Sequence, residues 1–195
     1  MSIDEIKQLI KEGKFHNPTK GILDLDGVLK ELINFKKEDK DSEYKVVIGT
    51  DSEVRKEGVE FVCVVAIHRI RKGGRYFWFP IYKKGKMQLR NRIHQEATIS
   101  LALAGAFLEK ELEMHKMKAD MNQSINDIFT LMSKNTNNSK EVIFSNNLEI
   151  HVDIGTKGPT NAMIKEIVGM IKGSGFFVRI KPEAFAAANL ADKHL

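Results

Sequence analysis

The chain has 195 residues, of which 42% are apolar and 29% are charged. This composition supports one compact domain with a buried core and excludes a disordered or collagen-like chain. No apolar run approaches the ~20 residues of a membrane-spanning helix, and the amino terminus mixes acids with lysines where a signal peptide would be apolar. We therefore expect a cytoplasmic protein with no membrane contact.

The cysteine count and the charge balance narrow the chemistry further. Cys63 has no second cysteine to pair with, which excludes an intramolecular disulfide and a thiolate-rich zinc or iron–sulfur site. Lys and Arg number 31 against 26 Asp and Glu, which gives a net charge of +5. Such an excess favours polyanionic partners through counterion release, although an ordinary solvated surface carries similar charge.

Residues 1–43 have the pattern of a helical extension. Apolar residues recur at helical spacing from Ile3 to Ile10 and stop before Gly13, and a second helical pattern runs over residues 22–33. A turn-like segment, residues 17–21, separates the two, and the charged stretch 36–43 predicts a linker. We expect this extension to pack on or beside a main domain that covers residues 44–195.

The main domain begins with strands and continues into a long helix. Apolar and β-branched runs at residues 45–49, 59–70 and 75–82 predict three sequential antiparallel strands. Residues 89–117, with Gly105 as their single glycine and no proline, predict a long helix. The polar stretch 118–140 predicts an insertion, in which apolar spacing leaves one more short helix open.

The last third alternates between strand and helix. A strand at residues 148–152, a loop to residue 159, a helix at 160–172, a strand at 176–181 and a helix after Pro182 follow one another. This order is typical of a parallel crossover. The sequence therefore predicts an α/β fold with a mixed five-stranded sheet flanked by helices.

Four carboxylates stand where burial would make them expensive. Asp51 follows the most apolar strand, Asp153 follows the fourth strand, Glu96 lies on the sheet-facing side of the long helix, and Asp192 lies in the alanine-rich final helix. Unpaired buried carboxylates cost several kcal/mol or take up a proton, so a cluster of them indicates a bound cation. Mg²⁺ or Mn²⁺ suits such oxygen ligands best.

Each of these acids also has a plainer interpretation. Asp51 is compatible with a turn or helix cap, and Glu96 with a surface ion pair to Arg92. Asp153 is compatible with a simple lead into the glycine loop, and Asp192 with a pairing at a frayed terminus. Two histidines that flank acids, His94 and His151, are more often structural than catalytic, so neither is placed in the site.

The aromatic run in the third predicted strand has two interpretations as well. Tyr76 and Trp78 share one face of the strand, whereas Phe77 and Phe79 share the other. At least one face belongs to the core, and stacking of nucleic-acid bases on the other is the minor alternative.

Several motifs together resemble the YkuK family of ribonuclease H-like proteins. They are Ile48-Gly49-Thr50-Asp51-Ser52, His94-Gln95-Glu96, His151-Val152-Asp153-Ile154-Gly155, Lys181-Pro182 and Ala191-Asp192-Lys193-His194, with Phe15-His16-Asn17-Pro18 in the extension. The likeness spans nearly the whole chain. It implies a ribonuclease H-like fold for residues 44–195 and an acidic catalytic and metal site made of Asp51, Glu96, Asp153 and Asp192.

The resemblance implies metal-dependent hydrolysis of nucleic-acid phosphodiester bonds. We expect two Mg²⁺ or Mn²⁺ ions, with Asp51 bridging them, Glu96 and Asp192 holding one or the other, and Asp153 orienting the attacking water. Basic residues are candidates for holding the nucleic acid, whether RNA, DNA or a hybrid: Lys84, Lys86, Arg90, Arg92 and Lys157. The alternative is a catalytically inactive nucleic-acid-binding or protein-interaction module on the same fold.

Overall fold

A computed structural model describes residues 1–120, 144, 148–158 and 160–195. Its strands are β1 (Phe15–Asn17), β2 (Gly21–Leu23), β3 (Tyr44–Val54), β4 (Gly58–Arg69), β5 (Gly73–Lys84), β6 (Leu148–Val152) and β7 (Phe177–Arg179). Its α-helices are α1 (Ile3–Glu12), α2 (Leu25–Glu38), α3 (Leu89–Asp120) and α4 (Ile164–Gly173). A 3₁₀ turn, Asn161–Met163, precedes α4. Most of the predicted insertion, together with its optional helix, lies outside the described residues.

The strands form one mixed sheet in the order β2-β1-β5-β4-β3-β6-β7. β3, β4 and β5 pair antiparallel, and β6 and β7 run parallel to β3. The predicted α/β fold is therefore confirmed. Parallel β6 and β7 require a crossover between them, which the 3₁₀ turn and α4 supply.

The sheet is two short strands wider than the five that the sequence predicts. β1 and β2 come from the extension, and β1 joins the sheet where His16 lies opposite Trp78 of β5. The Asn17 side chain donates to the carbonyl of Tyr76 at 2.7 Å and accepts from the amides of Thr19 and Lys20, which closes the turn between the two strands. Strands of three residues leave little periodic signal in a sequence.

The long helix α3 lies across one face of the sheet. Its residues Ile93, Leu103 and Phe107 are buried against the strands, as the helical spacing predicts. The extension packs on the same core, because Ile6 of α1 and Leu29 of α2 are fully buried in it. A capping box in which Ser2 and Glu5 satisfy each other's backbone amides starts α1.

The opposite face carries a C-terminal helical segment, which consists of a π-helical stretch, Ala186–Ala191, and a 3₁₀ turn, Asp192–His194. This segment lies almost in contact with the backbone of β3. A Cβ on Gly49 would stand 2.6 Å from the amide nitrogen of Ala187, a separation that side chains do not tolerate. Glycine at this position therefore allows the segment to dock beside the end of β3.

Some boundaries differ from the expectations. α2 extends through Glu38, so the charged stretch 36–43 is partly helical, and β7 is three residues long. The final helix is a π-helical and 3₁₀ segment and not a regular α-helix. Among the described residues, no helix combines the length and the apolar character needed to cross a membrane.

Candidate carboxylate site

Two of the predicted acids lie side by side at one edge of the sheet. β3 and β6 run parallel, with Thr50 opposite Val152 as their last paired residues. Asp51 and Asp153 each follow directly in that register. β3 is longer than predicted, however, and continues beside β4 to Val54, so Asp51 lies within the strand. The carboxyl ends of parallel strands meet at the same sheet edge, which is where open α/β sheets place their sites.

Glu96 reaches this edge from α3. Its side chain is buried, with 4% of its surface exposed, and its Oε1 accepts a hydrogen bond of 2.6 Å from the hydroxyl of Ser52. Burial raises the pKa of Glu96 to about 8, and the charges of Asp51 and Asp153 add to the effect. Glu96 is thus a buried acid beside the strand end, which contradicts the alternative of a surface ion pair with Arg92.

Asp51 is the centre of the group. Burial, followed by the charges of Asp153 and Asp192, raises the pKa of Asp51 to about 6. Asp192 stands at the start of the final 3₁₀ turn and is exposed, so the expected burial of this acid is wrong, but its charge acts on Asp51. The fold therefore brings all four predicted acids into electrostatic contact at one edge of the sheet. The simpler interpretations as a cap, a loop lead and a frayed terminus do not explain this convergence.

Two cations face the acids. Lys181 Nζ lies 2.7 Å from Oδ1 of Asp153, an atom that is buried and has no aligned hydrogen-bond donor, so the contact is an ion pair. The charges of Asp153, Asp51 and Asp192 all raise the pKa of Lys181. Arg92 of α3 lowers the pKa values of Asp51 and Glu96 against the stronger effect of burial.

The donors fit a hard divalent cation by their chemistry. All four are carboxylates, and Oδ1 of Asp153 is a buried oxygen without an aligned donor, which suits Mg²⁺ or Mn²⁺ and not a thiophilic metal. In the described part of the chain, however, no three His, Cys, Asp or Glu side chains stand close enough together to hold an ion. Coordination would therefore require the acidic side chains to move closer.

The predicted basic residues lie around the same edge of the sheet, where some are exposed to solvent and others face acidic side chains. Lys84 ends β5, which runs parallel to β3, and Lys86 follows it; both are exposed, as is Lys157 in the loop after β6. Arg90 forms an ion pair of 2.6 Å with Glu166, and Arg92 faces the acids. Lys84, Lys86 and Lys157 are thus the predicted residues most accessible to a polyanion.

Both histidines that flank the acids make contacts of a structural kind. His94 Nε2 lies 3.1 Å from Glu166. His151 is buried, burial lowers its pKa, and its Nδ1 accepts the backbone amide of Ala186 at 3.2 Å. This bond ties β6 to the C-terminal helical segment, so His151 helps to position the segment that carries Asp192.

The aromatic face of β5 is covered. The His194 ring stacks on Trp78 with centroids 3.8 Å apart and planes 6° apart, and His16 stacks at 5.5 Å. Phe77 is buried in the core on the other side of the strand. Trp78 therefore contributes to holding the C-terminal turn in place and does not offer an open platform for base stacking.

Two contributors to the site were not predicted from the sequence. Ser52 holds Glu96, and Lys181 neutralises Asp153. Both residues belong to the motifs that carry the family resemblance, but their partners are 44 and 28 positions away and no local spacing links them.

Comparisons with known proteins agree with this fold. A family model described as ribonuclease H-like matches residues 27–195. An uncharacterized protein of Bacillus subtilis (strain 168), YkuK, is 26% identical over 179 residues, which cover 92% of this chain and 95% of the relative. No solved structure gives a significant match. The seven-stranded sheet, the family match and the full-length similarity to YkuK show that this chain belongs to the ribonuclease H-like family, as a YkuK-type member.

Proposed function

We propose that this protein is a metal-dependent nuclease that hydrolyses phosphodiester bonds. The observation that carries the proposal is the convergence of four acids at the carboxyl edge of β3 and β6: Asp51, Glu96, Asp153 and Asp192. Partly buried acids whose charges repel one another are unfavourable without a cation, and the family points to nucleic acid as the polyanion that such a site would meet.

The acids would hold two divalent cations, Mg²⁺ or Mn²⁺. Bound ions of this kind supply a water of lowered pKa and neutralise charge on the leaving oxygen. Asp51 is central and would contact both ions, while Glu96 and Asp192 would each hold one. Asp153 would orient the attacking water.

Other side chains of the chain prepare the site and its substrate. Ser52 donates to Glu96 at 2.6 Å and so fixes the orientation of its carboxyl group. Lys84, Lys86 and Lys157 are exposed and would contact the phosphates of a bound strand. Arg92 faces the acids and would bring positive charge close to the scissile phosphate.

A nuclease assay on labelled single-stranded RNA, single-stranded DNA, duplex, RNA–DNA hybrid and branched substrates, with Mg²⁺ and with Mn²⁺, tests the proposal. Asp51→Asn and Glu96→Gln should each lower the rate by at least about a hundredfold, because each removes an anionic ligand. Asp41→Asn, an exposed aspartate in the turn before β3, is the matched control and should keep the wild-type rate. Equal rates in all four proteins would refute the proposal.

One observation favours a second candidate, a nucleic-acid-binding or protein-interaction module without catalysis. No three of the described acids stand close enough together to hold an ion, and an ammonium group already neutralises Asp153. Nucleic-acid binding without cleavage in either metal, equal in wild type and Asp51→Asn, would support this module and exclude the nuclease.

A further inference from the structure

The backbone places Lys181 at the carboxylate site. The amide of Lys181 donates to the carbonyl of Ile154 at 2.9 Å, which fastens the chain after β7 to the loop after β6. The position where Gly155 would carry a Cβ lies 3.5 Å from the Cβ of Lys181, so the lysine stem passes over a glycine. The backbone thus fixes where the Lys181 side chain begins, and the ammonium group reaches Asp153 on a flexible stem.

The ammonium group stands among three of the four acids. It lies 2.7 Å from Asp153, and Asp51 and Asp192 act on it electrostatically as well. Half of the lysine side chain, 52%, is exposed, whereas 20% of Asp153 is. The lysine can therefore withdraw into water along its flexible stem, whereas the shorter and less exposed side chain of Asp153 has less room to move.

We propose that Lys181 is a built-in counterion of the carboxylate site, which competes with a divalent cation for the oxygens of Asp153. This inference deepens the proposed function and rests on it. In the metal-free protein the ammonium group offsets the repulsion among the acids. A divalent ion that takes Asp153 must first displace it, and the released ammonium group then lies at the edge where a phosphate would bind.

Competition of this kind sets the affinity for metal. A single positive charge within a few ångströms of a divalent ion at a partly exposed site opposes its binding by an amount that corresponds to about tenfold in Kd. Removing the charge should therefore tighten metal binding, although the same change removes a group that could contact the substrate.

The experiment is a Mn²⁺ titration of the full chain, with free Mn²⁺ measured by electron paramagnetic resonance. Lys181→Met should bind Mn²⁺ about tenfold more tightly than wild type, and Lys181→Arg, which keeps the charge, should bind like wild type. Lys172→Met is the matched control. Lys172 is exposed in the last turn of α4, which runs back to the opposite edge of the sheet, so its removal should leave Kd unchanged.

A second substitution locates the effect. Asp51→Asn in the Lys181→Met background should abolish the gain, since the ion then loses its central ligand. The inference is overturned if Lys181→Met binds Mn²⁺ equally or more weakly than wild type, if Lys172→Met gains as much, or if no protein of the set binds Mn²⁺.

The outcome is separable from that of the nuclease assay. Tighter Mn²⁺ binding by Lys181→Met without cleavage of any substrate supports the counterion and refutes the nuclease. Cleavage that depends on Asp51, together with an unchanged Mn²⁺ affinity in Lys181→Met, supports the nuclease and refutes the counterion.

Discussion

The buried acid Glu96 gives the sharpest prediction about stability. Its pKa is about 8 in the folded protein against an ordinary value of 4.5. The folded state therefore keeps a proton that the unfolded state releases, so this group favours folding at low pH and loses that contribution as the pH rises from 4.5 to 8. Each tenfold difference in proton affinity is worth about 1.4 kcal/mol, which amounts to about 5 kcal/mol above pH 8.

Glu96→Gln removes this dependence and keeps the shape of the side chain. The amide oxygen can still accept the hydrogen bond from Ser52, whose hydroxyl lies 2.6 Å from Oε1 in the wild type. With the metal removed by EDTA, the variant should match wild type within about 1 kcal/mol at pH 5. It should be more stable by about 3 kcal/mol at pH 7 and by about 5 kcal/mol at pH 9.

Urea unfolding at pH 5, 7 and 9 measures the difference. Comparing variant with wild type at each pH cancels the contributions of the other titrating groups, among them Asp51. Glu109→Gln, an exposed glutamate on the same helix, is the matched control and should differ little from wild type at any of the three pH values. If the free energies of unfolding of Glu96→Gln and wild type differ by the same amount at all three pH values, the burial of an ionisable acid at this position is refuted.

Three further predictions follow from the same geometry. Gly49→Ala should lower the free energy of unfolding by about 1–3 kcal/mol in urea titrations, because the added Cβ would meet the backbone of Ala187. Gly105→Ala is the control: its Cβ would have open space and should stabilise α3 by up to about 1 kcal/mol. Equal effects of the two substitutions would contradict the close approach at Gly49. Mn²⁺ should bind more tightly as the pH rises from 6 to 8, since the metal must displace protons from acids whose pKa values are raised. Calorimetry in two buffers should detect the released protons. An affinity that does not depend on pH would argue against this site. Trp78→Leu removes the stacking on His194, so it should lower the free energy of unfolding by about 1 kcal/mol or more and speed the proteolytic removal of the C-terminal turn. Unchanged proteolysis would show that other contacts hold the turn.

The predicted architecture followed from local patterns. Apolar runs, turn residues and a helical period predict the central strands and the long helix α3, and each of these patterns involves only a few neighbouring positions. The order of strand, helix and strand at the end of the chain also fixed the parallel crossover. Asp51 and Asp153 each follow the last residues that pair β3 with β6, and the sequence places both acids directly after apolar strand patterns, although β3 itself continues to Val54.

Local sequence patterns could not predict the contacts between distant segments. β1 has only three residues, which is too short for a recognisable strand pattern, and it pairs with β5 between positions 16 and 78. The sequence therefore did not predict that the extension widens the sheet. The domain boundary at residues 43 and 44 stays a prediction. The insertion at 118–140 stays one as well, because most of it lies outside the described residues.

By itself, then, the sequence determined the α/β order of elements and singled out four candidate acids, since both depend on residue type and short-range spacing. Tertiary structure alone decided which groups surround those acids. The buried hydroxyl of Ser52, the ammonium group of Lys181 and the close approach at Gly49 arise where segments far apart in the chain pack together. The raised pKa values of Asp51 and Glu96 have the same origin, because burial and neighbouring charges exist only after the chain has folded.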